Sequence, residues 1–301
     1  MQVDASGVSI ALGLLRPCQI DRQHDKHSMM TPSEVNQSEY SVLIRTFNSA
    51  PTLPQTLVSL NRQSKPPRQY IFVDSGSTDQ TLACVPPQSL VHRYVGNEFN
   101  YSEALNQGLR LVLTDYVLII SSHTELANPE AASYVLNVLN SNPGIGAAYF
   151  YGDNTGSLRH ELIDRHNFTG FNGLYNTCAV IKVSLLKKRM FRPEVFSAED
   201  QEWAGWLFAA ENQAVARVSG AGLLVNNPRS DSLKKKLNEY VSVAYFTNRK
   251  LLEWSHITSL LNHAIRRGTG IGIEKRKYYL LLSVRLTLCH FFRPSGRSRY
   301  F

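Results

Sequence analysis

The chain has 301 residues, 43% of them apolar and 10% aromatic, enough for one large domain or two small ones, which excludes a disordered chain and a stapled miniprotein. The formal net charge is +8 and unevenly placed: residues 229–301 carry 15 basic against 4 acidic side chains, while residues 1–40 and 41–228 come to −2 and −1. A nearly neutral body with a basic tail argues against nucleic-acid binding, because basic residues alone give only salt-sensitive, unspecific attachment and no nucleic-acid module is recognisable.

Residues 1–38 mix isolated charges with His24, His27, Met29, Met30 and Pro32 without a sustained period, which reads as a weakly ordered extension; Met29 or Met30 is an alternative start. The apolar run Val8 to Leu15 is short and lacks a basic flank and a small-residue cleavage site, so no secretory signal is expected. From Tyr40 the texture changes. Ser41 to Arg45 reads as a strand, Leu53 to Leu60 as a helix with Thr52 and Pro54 near its start, and Tyr70 to Asp74 as a second strand. A helix start near Thr78, a strand at Leu90 to Val95, a helix over Ser102 to Leu113 and a strand at Tyr116 to Ile120 continue the alternation. Asn128 to Asn140 reads as a helix stopped by Pro143 and Gly144, and Ile145 to Tyr151 as another strand. Residues 152–196 are irregular and polar apart from a strand at Thr177 to Lys182, and Ala198 to Glu211 reads as a helix.

Residues 229–301 read as two or three basic amphipathic helices. Lys234 to Lys236, Arg266, Arg267, Lys275 to Lys277 and Arg285 alternate there with Leu, Ile, Tyr and Phe, a pattern that fits either an anionic membrane surface or a solvated basic face. Tyr278 to Phe292, the longest apolar stretch, is broken by Arg285 and falls short of the ~20 residues a spanning helix needs, so no membrane span is expected. Cys18, Cys84, Cys178 and Cys289 are too scattered for a zinc knuckle or a disulfide framework, which fits a reduced, cytoplasmic setting.

Alternating strands and helices with short loops imply an α/β sandwich around a parallel sheet, whose ligands collect at the carboxyl ends of strands. The loop after the second strand is Asp74-Ser-Gly-Ser-Thr-Asp79; Asp74 sits where the sheet edge opens and can accept hydrogen bonds from a nucleobase or ribose. Ser77 and Asp79 have the competing role of helix caps. Arg45 stands at the mouth of the same crevice, as a diphosphate partner or a surface ion pair. Ser121-Ser122-His123 follows a central strand; an imidazole there can ligate a divalent metal, donate to phosphate or serve as a hydrogen-bonded loop residue. Glu199 and Asp200 open a helix, where a carboxylate either answers the backbone dipole or deprotonates a substrate hydroxyl, and adjacent acids raise one another's proton affinity. Trp203 and Trp206 read as core rather than sugar platforms. Gly268-Thr-Gly270-Ile-Gly272 lacks the dinucleotide spacing, His160-Glu161-Leu-Ile-Asp164 lacks a second histidine, and neither a phosphate loop with lysine nor a nucleophile elbow is present.

Taken in order, Ser41 to Asn48, Ile71 to Asp79, Phe99-Asn-Tyr-Ser-Glu-Ala-Leu-Asn-Gln-Gly108, Tyr116 to His123 and Glu199-Asp200 resemble the family 2 glycosyltransferases over about residues 40–210. The resemblance implies the GT-A fold, a Rossmann-like nucleotide-binding sandwich, over residues 39–228, followed by the basic helical tail. It implies an inverting transfer from a nucleoside diphosphate sugar to a hydroxyl of a glycan or lipid-linked acceptor in cell-envelope polysaccharide synthesis, on the inner face of the membrane. It places Arg45, Thr46, Asn48, Asp74, Ser75, Asn106 and Ser121 on the sugar nucleotide, and Asp200 as catalytic base with Glu199 beside it. Where the family has Asp-x-Asp this chain has Ser121 and His123, leaving His123 as candidate ligand for Mn²⁺ or Mg²⁺; where many relatives have a further histidine it has Asn226 and Asn227. Ser75 in place of a second aspartate is similar to the rhamnosyltransferase-like branch, and Glu103 stands where a basic residue is common. Position alone puts Tyr151, Asp153, Arg159, His160, Asp164 and Trp203 on the acceptor side. The alternative is a binding module that holds sugar nucleotide or glycan without turnover.

Overall fold

The computed structural model describes residues 39–227, 232–266 and 272–296; the N-terminal extension expected at 1–38 lies outside the described residues. In chain order the elements are β1 (Tyr40–Thr46), α1 (Leu53–Asn61), β2 (Gln69–Asp74), β3 (Leu90–Arg93), α2 (Tyr101–Leu109), β4 (Tyr116–Ser121), β5 (Thr124–Leu126), α3 (Ala131–Ser141), β6 (Ile145–Phe150), β7 (Thr155–Ile163), β8 (Cys178–Lys182), α4 (Val183–Lys188), α5 (Glu199–Ala210), β9 (Ala214–Ala221), β10 (Leu223–Val225), α6 (Leu233–Phe246), α7 (Trp254–Ile265) and α8 (Ile273–Leu288). Short 3₁₀ turns occupy Gln80–Cys84 and Arg249–Leu252. The larger sheet has the order β3-β2-β1-β4-β8-β6-β9-β7, and β10 pairs with β5 beside it.

The strands β1 to β4 are parallel to one another, and the apolar runs of β1, β2 and β4 are buried on both faces, as a sheet covered by helices requires, while β3 at the sheet edge leaves Leu90 and Val91 exposed. Alternate residues go to opposite layers. Val42, Ile44, Phe72, Leu118 and Ile120 pack with α1 and α3; Leu43, Ile71, Val73, Val117 and Ile119 pack with α2 and α5. Because β1 is flanked by β2 on one side and β4 on the other, the order reverses there and opens a crevice at the carboxyl ends of β1 and β4. The architecture is the GT-A Rossmann-like one expected from the sequence.

Several elements depart from the expected pattern. The helix expected near Thr78 is the short 3₁₀ turn, and α2 ends at Leu109 rather than Leu113. Within the stretch expected to be irregular, β7 runs for nine residues. It lies at the outer edge of the sheet with most side chains exposed, so burial imposes no alternation that a sequence would display. Its neighbour β9, Ala-Val-Ala-Arg-Val-Ser-Gly-Ala, is also unexpected; small residues give a weak strand signal, and pairing to β6 and β7 decides the conformation.

Among the described residues of the basic tail, α6, α7 and α8 are helical, and α6 packs against the body. Phe196 joins Leu237, Val241, Ala244, Leu252, Ile257, Leu282, Leu286 and Cys289 in one buried cluster. Arg285 on α8 donates to Asn238 on α6 at 2.7 Å. No helix among the described residues is long and apolar enough to cross a membrane.

Candidate active site

The chain enters α5 by way of Ser197, whose carbonyl accepts a hydrogen bond from the buried hydroxyl of Ser242 on α6. It then turns through Ala198, which is left-handed at φ 55° and ψ 42° and offers no capping side chain. That turn delivers three acidic residues, Glu199, Asp200 and Glu202, to the first turn of the helix. They have different fates. Glu202 is buried and held by the Arg189 guanidinium at 2.5 and 2.8 Å, with Arg192 at 3.3 Å, so its charge is spent on ion pairs. Glu199 lies 3.9 Å from Arg45 Nη1 and accepts from the Asn176 amide at 3.4 Å.

Asp200 is partly exposed and faces a cavity of about 980 Å³. Its Oδ1 accepts from the Gln201 amide at 2.8 Å and its Oδ2 from the Asn176 amide at 3.0 Å. Burial, and after it the neighbouring charge of Glu199, push its pKa up to about 7; the two amide hydrogen bonds oppose the rise and Glu239 adds to it. The helix dipole favours an anion here, yet withdrawal from water prevails. A carboxyl that titrates near neutrality suits proton abstraction. The loop before β8 is laced to this helix, because Gln201 accepts from Gly173 N at 2.8 Å and donates to Leu174 O.

The opposite side of the cavity starts at the sheet. Arg45 pairs with Ser121 across β1 and β4, and both line the cavity with His123. The Arg45 guanidinium lies 4.7 Å from the Tyr101 ring centroid, a cation–π contact that holds it toward the opening. Its Nη1 is buried and has no hydrogen-bond acceptor among the described residues. Arg45, Ser121, His123, Glu199 and Asp200 are thus brought to one cavity from positions up to 155 residues apart in the chain.

Other expected site residues sit elsewhere. Thr46 donates to Asp74 Oδ1 at 2.9 Å, and Asp74 also accepts from Ser77 Oγ and from the Gly76 and Ser77 amides, so its carboxylate organises its own loop. Gly76 provides the positive φ, 88°, that the turn requires. Asn48 accepts from Thr78 N at 2.8 Å, and the Ser75 amide donates to Thr46 O at 2.9 Å. Asp79 caps the 3₁₀ turn through Thr81 N. Register places Thr46 beside Asp74 at the sheet end, next to Arg45, although none of this loop lines the cavity. Asn106 is buried, with its amide engaged both ways by Phe191, donating to O at 2.7 Å and accepting from N at 3.1 Å. It straps α2 to the segment before α5.

Of the residues placed on the acceptor side by position, Tyr151, Asp164 and Trp203 do not line this cavity. Tyr151 lies under Arg217, 3.8 Å from ring centroid to guanidinium. Asp164 closes a turn onto His166 and Asn167. Trp203 is fully buried and donates to Arg189 O, the core role its helical spacing favoured. Asp153, Arg159 and His160 are also outside the cavity, His160 being bonded to Tyr134. In their place stand Tyr101, Phe171, Tyr175 and Asn176 from the body, and Lys235, Lys236, Glu239, Tyr240 and Tyr278 from the tail. Lys235 and Lys236, expected on a membrane-facing or solvated surface, line the cavity instead. Tertiary contacts put them there, because α6 packs beside α5 and is bonded to Ser197 at the entry of α5.

His123 is the nitrogen donor at the end of β4, with the Ser121 hydroxyl and Asn227 nearby on the cavity wall, and no group of three or more His, Cys, Asp or Glu suited to a metal exists among the described residues. A hard cation prefers carboxylate oxygens, so this set does not make a protein-held metal site. No chemical step is therefore drawn through a metal.

Comparison with known proteins agrees with the fold. A solved structure of Staphylococcus aureus TarS residues 1–349 superposes with TM-score 0.53 at 18% identity, over 82% of this chain and 80% of that one. The mannosyltransferase PcManGT of Pyrobaculum calidifontis, solved with GDP-Man and Mn²⁺, gives TM-score 0.55 at 15% identity over 88% and 78%. Glucosyl-3-phosphoglycerate synthase of Mycobacterium tuberculosis, solved with Mn²⁺, UDP and glucosyl-3-phosphoglycerate, gives 0.51 at 17% over 71% and 79%. Among curated proteins, a poly-beta-1,6-N-acetyl-D-glucosamine synthase of Staphylococcus epidermidis is 28% identical over 125 residues, 40% of this chain but only 30% of that protein's length. The sequence model described as "Glycosyl transferase family 2" matches residues 41–197, from the first strand to the turn that presents the acid pair. With that match extending over more than half of its length, the chain belongs to glycosyl transferase family 2.

Proposed function

We propose that the protein transfers a glycosyl unit from a nucleoside diphosphate sugar to an acceptor hydroxyl, with inversion at the anomeric carbon and Asp200 as the general base. The observation that carries this reading is the Asp200 carboxyl, which titrates near neutrality and faces a cavity at the sheet's topological switch point. Asp200 takes the proton from the acceptor oxygen as that oxygen attacks the anomeric carbon, and the bond from that carbon to the diphosphate oxygen breaks. Glu199, tied to Arg45 and Asn176, stays beside it and keeps its proton affinity high. The nucleotide rests along the loops bearing Thr46, Asn48, Asp74 and Ser75, the diphosphate toward Arg45 and Ser121. Phe171, Tyr175 and Tyr240 form an aromatic acceptor side, Phe171 and Tyr240 lying 5.1 Å apart.

The transferred unit is a hexosyl or rhamnosyl group, and the product is a cell-envelope polysaccharide or its lipid-linked precursor. The curated relative's name and the Ser75 pattern support this. The last helices support a membrane-held acceptor: α8 exposes Leu280, Leu281, Val284 and Leu288 on one side, α7 exposes Trp254, Leu261 and Ile265, and Lys275, Arg276 and Lys277 lie nearby in sequence. The variant Leu281→Glu/Val284→Glu should lose sedimentation with phosphatidylglycerol vesicles while keeping its melting temperature; equal sedimentation would remove the tail from membrane contact.

The deciding experiment for transfer is Asp200→Asn. It should leave donor binding intact and lower release of nucleoside diphosphate in the presence of acceptor by roughly 10²- to 10⁴-fold. Unchanged release would assign the base to another residue.

A further inference from the structure

The resemblance described above implies Asp-x-Asp after β4 as the metal-binding position. This chain has Ser121 and His123 there, and no group of three or more His, Cys, Asp or Glu suited to a metal exists among the described residues. The positive charge in the cavity comes from elsewhere. β10 is bonded to the segment after β4, Val225 pairing with Thr124 and Asn226 N donating to His123 O at 2.8 Å. That pairing brings Val225 and Asn227 onto the cavity wall, and Ser232, Lys235 and Lys236 of the following helix line the same wall. Ser232 caps α6 by accepting from Lys235 N at 3.1 Å, which orders the helix start and leaves its positive dipole end at the cavity. Lys235 is half-buried and directed by Glu239, whose carboxylate is 3.7 Å from its ammonium nitrogen. Across the cavity, Arg45 Nη1 is buried with the Glu199 carboxylate at 3.9 Å, beyond hydrogen-bond distance, and has no hydrogen-bond acceptor among the described residues, so a phosphate oxygen would complete its bonding.

We infer that Lys235 and Lys236, at the start of the tail helix, form with Arg45 a diphosphate-binding site in which protein cations take the place of a metal held by acidic side chains. The inference rests on the proposed transfer from a nucleoside diphosphate sugar and names the groups that hold and discharge its leaving group. Lysine and arginine are suited to it: each donates charge-assisted hydrogen bonds to phosphate oxygens and stabilises the negative charge that grows on the departing oxygen. The arrangement also gives the tail a role in catalysis, since the two lysines reach the site only when α6 is docked on the body.

Calorimetric titration of the full chain with UDP, GDP, ADP, CDP and dTDP, each with its nucleoside, tests this in EDTA and again with Mn²⁺. The wild type should bind at least one diphosphate in EDTA, well above its nucleoside. Lys235→Gln/Lys236→Gln should weaken that diphosphate by about 100-fold, about tenfold for each lost charged hydrogen-bonding group, and leave nucleoside binding unchanged. Lys235→Arg/Lys236→Arg should restore most of the affinity, which a merely structural role for the lysines would not explain. An unchanged diphosphate affinity in the Gln variant at wild-type melting temperature would overturn the lysine site and leave the transfer reading standing. Binding that appears only with Mn²⁺ would do the same. Absence of diphosphate binding under both conditions would remove the transfer reading along with it.

Discussion

Asp200 is ionised with difficulty, and its pH behaviour follows from that. As a base it must be deprotonated, so initial rates should fall as pH drops through about 7, a steeper acid limb than an ordinary carboxyl near 4 would give. A pH–rate profile flat from 5 to 8 would contradict the assignment. Stability runs the other way. The folded state binds the Asp200 proton more tightly than the unfolded chain does, so this group's contribution is full below about pH 4, declines as pH rises, and is lost once pH passes about 7. The uncharged variant Asp200→Asn should therefore raise the melting temperature by a few degrees at pH 8 and change it little at pH 4.5. Differential scanning calorimetry at the two pH values checks this; a lower melting temperature at pH 8 would mean that the amide bonds from Asn176 and Gln201 outweigh the burial of charge. Composition and order alone pointed to Glu199 and Asp200 as a pair. That Glu202 is spent on Arg189, leaving Asp200 to face the cavity, depends on distances between segments.

Two short elements position these groups. The left-handed turn at Ala198 carries a Cβ that such a conformation disfavours, at roughly 1–2 kcal/mol. Ala198→Gly should be neutral to slightly stabilising in urea melts, while Ala198→Val should destabilise and lower turnover, because a β-branched residue would force the turn to re-form and move the acid pair. Helix α2 approaches the sheet where Gly108 meets Leu43 and Val73; an added Cβ would stand 2.4 Å from Leu43 Cδ1 and 2.7 Å from Val73 Cγ2. Gly108→Val should cost about 1–3 kcal/mol by overpacking, read from the denaturation midpoint. The buried parallel strands were legible because burial on both faces demands continuous apolar runs. The edge strand β7 and the small-residue strand β9 were not, because their conformation is imposed by pairing.

At the scale of the whole molecule, the tail and the body share a buried cluster. Leu286 and Phe196 share a buried cluster, and Phe196 immediately precedes the turn that presents the acids. Leu286→Ala should lower stability by ~2–5 kcal/mol and also reduce turnover at temperatures where the chain remains folded. Turnover that stays at the wild-type level under those conditions would separate tail packing from the site.

The sequence by itself determined the family, the parallel half of the sheet, the acidic pair and the departure from acidic metal ligands, because each is written in neighbouring residues: apolar runs, turn residues and motif order. Only the tertiary structure decided that Glu199 and Asp200 line the cavity while Glu202 is held by Arg189, that Trp203, Tyr151 and Asp164 are absent from it, and that Lys235 and Lys236 line it. Burial and electrostatic coupling depend on which segments meet, and residues 45, 121, 200 and 236 meet only when the chain has closed around the sheet.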